Sequence, residues 1–411
     1  MVAYHFPPIN VSSGIERTLR FAQYLPEFEW EPAVLTVHPR AYTSTSQAGL
    51  AEVPPNLNVR RVFALDAAKH LSLRGAYPRV LALPDRWWTW WLGAIPAGLA
   101  LIRKFKPDVL WSTYPIATAH LIAYTLHRLT GVRWVADFRD PMIEPDYRAP
   151  ELEHRALQWI EAQTIKHCER AVFTAPGALR LCAERYGKSA ESRMTVIENG
   201  FDESAFAEAE QRVDHRPTAG KPLLIVHSGT IYASARDPRP LFSALSELLQ
   251  SGRLGPDELK LVLRATGDDH FIGGLVEAAG IGSIVSLQPS VPYRVALAEM
   301  MSADGLLLLQ AANCNYQIPA KLYEYLRAGR PILALTDPRG DTAAVLQRAC
   351  VDTIAPLDSK GQIAQAVLRF IALLREGRAP IPSAKEIDKS SRRARTAELA
   401  HQFEQVAAGL A

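Results

Sequence analysis

Lys321 and Glu324 have the residue types and the spacing that suit recognition of a phosphorylated ligand. They lie three positions apart, so they share one face if the segment is helical. A cation in the first turn opposes the helix dipole, whereas an anion bound at that end is stabilised by the dipole and by the lysine. The pattern therefore predicts that Lys321 faces an anion such as a phosphate. The alternative is an exposed ion pair between the two side chains.

The residues around this pair predict a loop, a short helix, a turn and a buried strand. Pro319 suits a helix start, because its missing N–H is not needed there. Gly329 suits the residue that ends the helix, and Pro331 prevents its continuation. The uncharged run Ile332–Leu335 is typical of a strand covered on both faces of a parallel sheet. We expect the helix to end near Ala328.

A second group of reactive side chains follows two predicted strands in the first half of the chain. Asp140, Asp137 and His120 are candidate proton acceptors, in that order of preference. The carboxyl ends of parallel strands are where doubly wound folds bind their ligands. Two structural alternatives stand beside this prediction: an ion pair between Asp137 and Arg139, and a hydrogen-bonded core imidazole at His120.

Strand-like runs alternate with amphipathic segments along the whole chain, which is typical of βαβ units and parallel sheets. The runs are 2–6, 32–37, 59–65, 109–114, 134–138, 171–175 and 194–197, then 223–227, 259–263, 284–287, 305–309 and 332–335. Two such series predict an α/β protein of two doubly wound domains, with the ligands in the cleft between them. A turn signal at 199–202 and a charged, alanine-rich stretch at 203–220 place the boundary near residue 215.

The composition excludes several classes of protein. A chain of 411 residues with 48% hydrophobic and 22% charged residues is an ordinary globular protein of two domains. The net charge of +3 is too small to indicate nucleic acid as a partner. The four cysteines are scattered, which argues against a disulfide framework or metal knuckle and fits a reducing cytosol. The first residues, 1–8, do not show the pattern of a secretory signal, so we expect none.

The segment 87–106 has the composition of a membrane-contacting surface. It contains four of the eight tryptophans within residues 87–91, and basic residues follow at 103–106. Indoles and cations of this kind suit the interface of an anionic bilayer. The uncharged run is too short to span a membrane. The alternative is that these tryptophans belong to the domain core.

The stretch 316–336 resembles the retaining nucleotide-sugar glycosyltransferases of family four, which have the GT-B architecture. Glu324, Gly329 and Pro331 match the Glu-x-x-x-x-Gly-x-Pro element of that family. Residues 112–141 are similar to a branch with a Ser-Thr-x-Pro and Ala-Asp-Phe-Arg-Asp-Pro order. The resemblance implies two Rossmann-like domains that face each other across a cleft. The acceptor-binding domain would be 1–215, completed by a C-terminal helix at about 390–411, and the donor-binding domain would be 216–389.

The resemblance also implies roles for individual residues. Glu324 would accept hydrogen bonds from the ribose hydroxyls, and Pro319, Ala320 and Lys321 would face the diphosphate. The remaining donor contacts would be Gly14 and Gly229, with Thr230 in place of the family's arginine, Arg236 in place of its lysine, and Arg264 as the competing cation. Both arginines could instead be exposed ion-pair partners. The acceptor side would comprise Thr113, Tyr114, Arg139 and Tyr316, the last in place of a family glutamate.

The implied function is transfer of a hexose, with retention, from a nucleoside-diphosphate sugar to a hydroxyl of a glycan or lipid-linked acceptor, in the synthesis of cell-surface polysaccharide or glycolipid. Helix amides and cations can stabilise a departing diphosphate without a metal, so we expect no cofactor and no metal. The expected location is cytoplasmic, peripheral on the inner face of the cell membrane. The alternatives are a nucleotide-sugar epimerase and a catalytically silent glycosyltransferase-like binding protein.

Overall fold

The computed structural model describes residues 1–9, 14–72, 77–144, 150–213, 222–232 and 234–409. Its contacts divide the chain into two compact units: unit 1 comprises Met1–Glu198 and Arg392–Ala411, and unit 2 comprises Asn199–Ser391. The boundary expected at residue 215 lies in 214–221, outside the described residues. The contacts assign residues 199–213 to unit 2.

Unit 1 is built on a parallel sheet whose strands have the positions that the apolar runs predict. The first run, 2–6, pairs only at Val2, which bridges β1 and β3 and so joins the strands into one sheet. The strand order is β2-β1, then the Val2 segment, then β3-β4-β5-β6. The strands are β1 (Ala33–Val37), β2 (Asn58–Val62), β3 (Val109–Thr113), β4 (Arg133–Arg139), β5 (Arg170–Phe173) and β6 (Met194–Val196).

Helices connect these strands, as parallel pairing requires. Three of them, α2, α3 and α8, have only four or five residues, and α1 is followed directly by a 3-10 turn. The longer helices have apolar residues at helical spacing. The helices are α1 (Gly14–Tyr24), α2 (Gln47–Ala51), α3 (Ala67–His70), α4 (Trp90–Phe105), α5 (Ala117–Thr130), α6 (Glu151–His167), α7 (Pro176–Tyr186) and α8 (Lys188–Glu191), with 3-10 turns at Leu25–Phe28, Pro39–Ala41 and Arg79–Ala82.

Unit 2 contains a six-stranded parallel sheet of order β12-β11-β10-β7-β8-β9. Counted from β7, this is the strand order of the doubly wound nucleotide-binding folds, in which the connections reverse direction beside the first strand. The reversal occurs between β7 and β10. The strands are β7 (Leu223–Ser228), β8 (Leu259–Arg264), β9 (Val285–Gln288), β10 (Gly305–Leu309), β11 (Ile332–Leu335) and β12 (Ile354–Ala355).

The helices of unit 2 include one that the sequence analysis did not predict. The charged stretch 203–220 begins with a helix, α9, which buries Ala205, Phe206 and Ala209. Arg327 pairs with Glu210 of α9 at 2.8 Å, so this segment is held on unit 2. The helices are α9 (Glu203–Glu210), α10 (Arg239–Gln250), α11 (Asp269–Ala278), α12 (Tyr293–Ser302), α13 (Lys321–Ala328), α14 (Asp341–Arg348), α15 (Lys360–Arg375) and α16 (Ala384–Lys389), with a 3-10 turn at Ala312–Cys314.

The C-terminal helix α17 (Arg392–Ala408) packs on unit 1. Its Leu399, Phe403 and Val406 belong to the same apolar cluster as Trp111 of β3. Arg395 forms a buried ion pair with Glu198, at 2.8 Å. The helix therefore completes the core of unit 1, although the whole of unit 2 separates it in the sequence from the rest of unit 1.

The four clustered tryptophans contact other residues of unit 1. Trp90 is fully buried, and the indole N–H groups of Trp88 and Trp91 donate to the Leu81 carbonyl at 2.9 Å and to Thr125 Oγ1 at 3.0 Å. The Trp87 ring lies 4.9 Å from the Tyr4 ring. Trp90 thus belongs to the core, as the alternative predicts, whereas Trp87, Trp88 and Trp91 are half-buried. In the described part of the chain, no helix is long and apolar enough to cross a membrane.

Candidate active site

The polar residues of unit 2 converge at the point where the connections of its sheet reverse direction. Gly229 follows β7 and has φ +102°, a conformation that favours glycine. A Cβ added at this position would lie 2.9 Å from Lys321 Nζ. The backbone conformation therefore favours glycine here, and a side chain at this position would displace the Lys321 ammonium. The crevice beyond this strand end is where doubly wound folds bind nucleotides.

Lys321 is the first residue of α13, as the pattern of Pro319 and Gly329 predicts. Gly329 has φ +66° and ends the helix after Ala328. Burial, reinforced by the positive charge of Arg236, lowers the pKa of Lys321 to about 7. The Lys321 ammonium lies 3.3 Å from Nε2 of His227. Within the described residues, it forms no ion pair with a carboxylate.

Arg236 is the second cation of this group. Its guanidinium donates to the Thr230 carbonyl at 2.8 Å and lies 5.4 Å from the centre of the Tyr232 ring. Burial lowers the pKa of Arg236, another sign that its charge is poorly solvated. Among the described residues it also has no carboxylate partner. Two neighbouring cations without a carboxylate between them make a site for an anion with more than one charge.

Glu324 lies one turn after Lys321 on α13. Its Oε1 accepts a hydrogen bond from the Tyr293 hydroxyl at 2.8 Å. The next residue, Tyr325, is buried and accepts a hydrogen bond from the Ser228 amide at 2.9 Å, which fixes α13 against the end of β7. The carboxylate and the ammonium are thus presented by one short helix with a rigid support.

Arg264 is engaged elsewhere in unit 2. It forms a two-pronged ion pair with Glu299, at 2.5 and 2.6 Å, and donates to the Pro289 carbonyl at 2.7 Å. Arg264 is therefore an ion-pair partner, as in the predicted alternative, although the pair is partly buried and not exposed. Arg236 is the arginine whose charge acts on Lys321. Tyr316 and Ala320 are partly buried in the segment before α13, and Pro319 is buried there.

In unit 1 a buried ion pair organises the ends of the central strands. Arg17 of α1 donates to both carboxylate oxygens of Asp137, at 2.8 and 3.0 Å, and neither residue is more than 1% exposed. The same guanidinium donates to the carbonyls of Ile197 and Glu198, at 3.0 and 3.1 Å. The partner of Asp137 is therefore Arg17, and the predicted alternative of an Asp137–Arg139 pair is not the one observed.

Arg139 ends β4 in a left-handed conformation, with φ +61°. Its side chain donates to Thr113 Oγ1 at 3.0 Å and to the Gly14 carbonyl at 2.9 Å. Thr113 in turn donates to the carbonyl of Tyr114 at 3.0 Å. The structure therefore brings Gly14, Thr113, Tyr114 and Arg139 together with Asp137 at one edge of the sheet of unit 1.

Asp140 lies next to this group and differs from Asp137 in its surroundings. It is only partly exposed, and burial, with the negative charge of Glu144 adding to it, raises the pKa of Asp140 to about 6. Within the described residues its carboxylate has no ion-pair partner. A carboxylate with a pKa near neutrality and no fixed partner is suited to accept a proton.

His120 lies in the core of unit 1. It is fully buried, its Nδ1 is 2.7 Å from Ser112 Oγ, and its ring lies 4.9 Å from that of Phe138. Burial lowers the pKa of His120 to about 3. This environment is that of the core-imidazole alternative. The described residues include no cluster of three or more His, Cys, Asp or Glu side chains arranged to hold a metal.

Residues 13–200 match the model of the Glycosyl transferase 4-like domain. This part of the chain is similar to that domain, and the match covers somewhat less than half of the 411 residues. A comparison with curated protein sequences found no significant match. The matched range includes the candidate residues of unit 1, from Gly14 to Asp140.

Solved structures with the GT-B fold are similar to the whole chain. Sucrose-phosphate synthase from Thermosynechococcus elongatus has a TM-score of 0.67 at 14% identity, with 99% of each chain covered. The UDP-forming α,α-trehalose-phosphate synthase from Burkholderia vietnamiensis has a TM-score of 0.64 at 13% identity, covering 100% of this chain and 99% of the other. Anabaena HepE in complex with UDP-glucose has a TM-score of 0.60 at 10% identity, covering 100% and 98%. The predicted fold, GT-B with two Rossmann-like units, is confirmed.

Two residues that hold these sites together were not identified from the sequence. Arg17 lies 120 positions from Asp137, and nothing local to either residue indicates the pair. His227 lies two residues before Gly229, near the end of β7. Its position near a strand end is the feature of the sequence that could have identified it as a site residue.

Replacement of Asp137 by asparagine tests whether that residue is structural. Asp137→Asn leaves the buried Arg17 charge without its partner, so we expect the free energy of unfolding to fall by about 3–5 kcal/mol. Asp140→Asn is the matched control, since no ion pair is lost there. Denaturant unfolding followed by circular dichroism measures both, and equal stability of the two variants would contradict the structural role of Asp137.

Proposed function

We propose that this protein is a retaining glycosyltransferase. It transfers a hexose from a nucleoside-diphosphate sugar to a hydroxyl of a glycan or lipid-linked acceptor, in the synthesis of cell-surface polysaccharide or glycolipid in the cytoplasm. The observation that carries the proposal is the pair of cations, Lys321 and Arg236, beside Gly229 at the strand reversal of unit 2. The UDP-glucose in the Anabaena neighbour supports a donor of this class.

In this proposal each charged group of unit 2 contacts a different part of the donor. Lys321 and Arg236 bind the diphosphate, with the backbone at Gly229 and Thr230 and the start of α13, including Pro319 and Ala320, close to it. Glu324 accepts hydrogen bonds from the ribose hydroxyls. The two cations stabilise the negative charge of the leaving diphosphate, so the transfer requires no metal ion. Arg264 is omitted from the donor contacts because Glu299 holds it.

On the acceptor side we propose Asp140 as the base that takes the proton of the attacking hydroxyl. Tyr114 and the Arg139–Thr113 pair line the same edge of unit 1, and Tyr316 is the acceptor-side candidate from unit 2. Asp137 and Gly14 position this edge through the contacts with Arg17 and Arg139.

Incubation with a panel of nucleotide sugars, including UDP-glucose, tests the function. We expect release of the nucleoside diphosphate that depends on an added membrane lipid or glycan extract, and a product that keeps the anomeric configuration when examined by NMR. Conversion of the nucleotide sugar without any acceptor would indicate an epimerase instead. Binding without turnover under all conditions would indicate a silent binding protein.

Glu324→Gln tests the proposed ribose contact. Loss of the charged acceptor should weaken binding of UDP by about 1.5–3 kcal/mol, and should weaken binding of the ribonucleotide more than that of its 2′-deoxy form. Calorimetric titration measures both. Lys321→Met is the comparison variant, because it should affect UDP far more than uridine and should lose its effect as salt rises. Unchanged affinities in both variants would contradict the donor site.

Asp140→Asn tests the proposed base. Turnover should fall by about 10²–10⁴-fold, whereas affinity for the nucleotide should stay nearly unchanged. Because a base acts in its deprotonated form, activity of the unaltered protein should rise with pH as Asp140 loses its proton at about pH 6. That rise should be absent from the residual activity of the variant. Near-normal turnover would exclude Asp140.

We also propose that the protein contacts the inner face of the cell membrane through residues 87–106. The large exposed apolar side chains there are Leu92 and Phe105, 49% and 41% exposed. Arg103 and Lys104, which precede Phe105 in the last turn of α4, are also exposed. Apolar insertion and attraction to anionic lipid would act together.

Vesicle sedimentation tests this contact. The protein should sediment with anionic vesicles at low salt, and the double variant Leu92→Asp and Phe105→Asp should lose that binding. Phe271→Asp, which alters an exposed apolar residue of α11 in unit 2, should bind as the unaltered protein does. Equal recovery in the supernatant with and without vesicles would exclude the membrane contact.

A further inference from the structure

His227 lies beside the proposed diphosphate site without touching solvent. It is the fifth residue of β7 and is fully buried. Its Nδ1 lies 2.9 Å from the carbonyl oxygen of Leu307 on the neighbouring strand β10. Its Nε2 lies 3.1 Å from the Gly229 carbonyl and 3.3 Å from Lys321 Nζ. The imidazole therefore connects the sheet, the glycine turn and the lysine.

The surroundings of His227 determine its protonation state. Burial and the positive charges of Lys321 and Arg236 hold the pKa of His227 well below its usual value, so the ring is neutral and carries one N–H. We assign that hydrogen to Nδ1, because the shorter carbonyl contact is the one to Leu307 and a neutral ring can donate only once. Nε2 then carries the lone pair and accepts a hydrogen bond from the Lys321 ammonium. In this tautomer the contact between Nε2 and the Gly229 carbonyl oxygen is not a hydrogen bond, because both atoms are acceptors.

A neutral partner has a different effect on Lys321 from that of a carboxylate. An aspartate at this place would orient the ammonium but would also neutralise it, and the site would lose its attraction for an anion. The imidazole orients the ammonium and leaves its charge available. The charged groups that face Lys321 are Arg236, from the segment after β7, which disfavours the ammonium, and Glu324 of α13, which favours it.

We propose that His227 is a positioning residue that holds Lys321 toward the donor diphosphate, and that binding of the donor is coupled to uptake of one proton by Lys321. The inference rests on the proposed function, since the donor is the anion concerned. The proton comes from the solvent and converts the lysine amine to the ammonium. No bond of the donor is formed or broken in this step.

The sign of the pH dependence follows from the lowered pKa of Lys321, about 7. Below that pH the ammonium is already present, so affinity for the donor should be constant. Above it the amine predominates in the free protein, and each binding event must take up a proton. Affinity should then fall by at most about tenfold for each pH unit. A nucleotide sugar is a suitable probe, because its esterified diphosphate has no second ionisation near neutral pH.

Isothermal titration calorimetry from about pH 6 to pH 9, in pairs of buffers that differ in ionisation enthalpy, measures affinity and proton uptake together. The probes are UDP-glucose, GDP-mannose and ADP-glucose, and the one that binds most tightly is used throughout. The unaltered protein should take up close to one proton at about pH 8. Lys321→Met should take up none and should bind weakly at every pH.

Two substitutions of His227 separate its two nitrogens. His227→Asn keeps a donor near the place of Nδ1 but removes the acceptor for Lys321, so the midpoint of the pH profile should move down by about one unit, with about tenfold weaker binding at high pH. His227→Gln keeps an acceptor near the place of Nε2 and should restore the original midpoint. Thermal unfolding checks that both variants are folded. If His227→Asn does not fold, the comparison of the unaltered protein, His227→Gln and Lys321→Met decides.

Proton uptake that is absent from the unaltered protein would overturn the coupling. A pH profile of His227→Asn that coincides with that of the unaltered protein, or one of His227→Gln that differs from it when His227→Asn cannot be measured, would overturn the positioning role of His227. In these cases the proposed function stands, because the donor still binds. Failure of all three probes to bind the unaltered protein would overturn the proposed function and this inference together.

Discussion

Lys321 is placed where its positive charge is poorly solvated and is held by a neutral imidazole rather than by a carboxylate. The chemistry that we propose for the second unit depends on this arrangement. The strand reversal between β7 and β10 opens a crevice at the carboxyl ends of the strands, and Gly229 lets the ammonium approach the backbone there. A partly buried cation of this kind is unfavourable unless an anion meets it, which is why we propose an anionic ligand for unit 2.

In unit 1, by contrast, a buried positive charge is paired with a carboxylate. Arg17 and Asp137 neutralise each other in its interior, and the guanidinium also holds the carbonyls that follow β6. An ion pair whose hydrogen bonds are satisfied in this way fixes the positions of its two side chains and does not readily exchange protons. Asp140, three positions later, has no such partner among the residues that the structure describes, and its pKa is raised. The contrast between two neighbouring aspartates is the basis for assigning one to structure and the other to catalysis.

Much of the fold was predictable because buried parallel strands are uncharged runs. The runs at 305–309 and 332–335 coincide with β10 and β11. β12 was not predicted because two residues are too few to show a pattern. Helix α9 was not predicted because its buried face consists of two alanines and Phe206 within a charged stretch, which gives little periodic signal. The same holds for the site residues. Lys321 and Glu324 could be predicted from their spacing on a helix. Arg17 and His227 could not be predicted, because they act through contacts that only the folded chain creates.

The central claim is that the second unit binds a nucleoside diphosphate through Lys321 and Arg236. A crystal structure of the protein with UDP tests it most directly. We expect phosphate oxygens at about 2.7–2.9 Å from Lys321 Nζ and from the Arg236 guanidinium, with the ribose hydroxyls at Glu324. Nucleotide bound elsewhere, with Lys321 and Arg236 unoccupied, would contradict it.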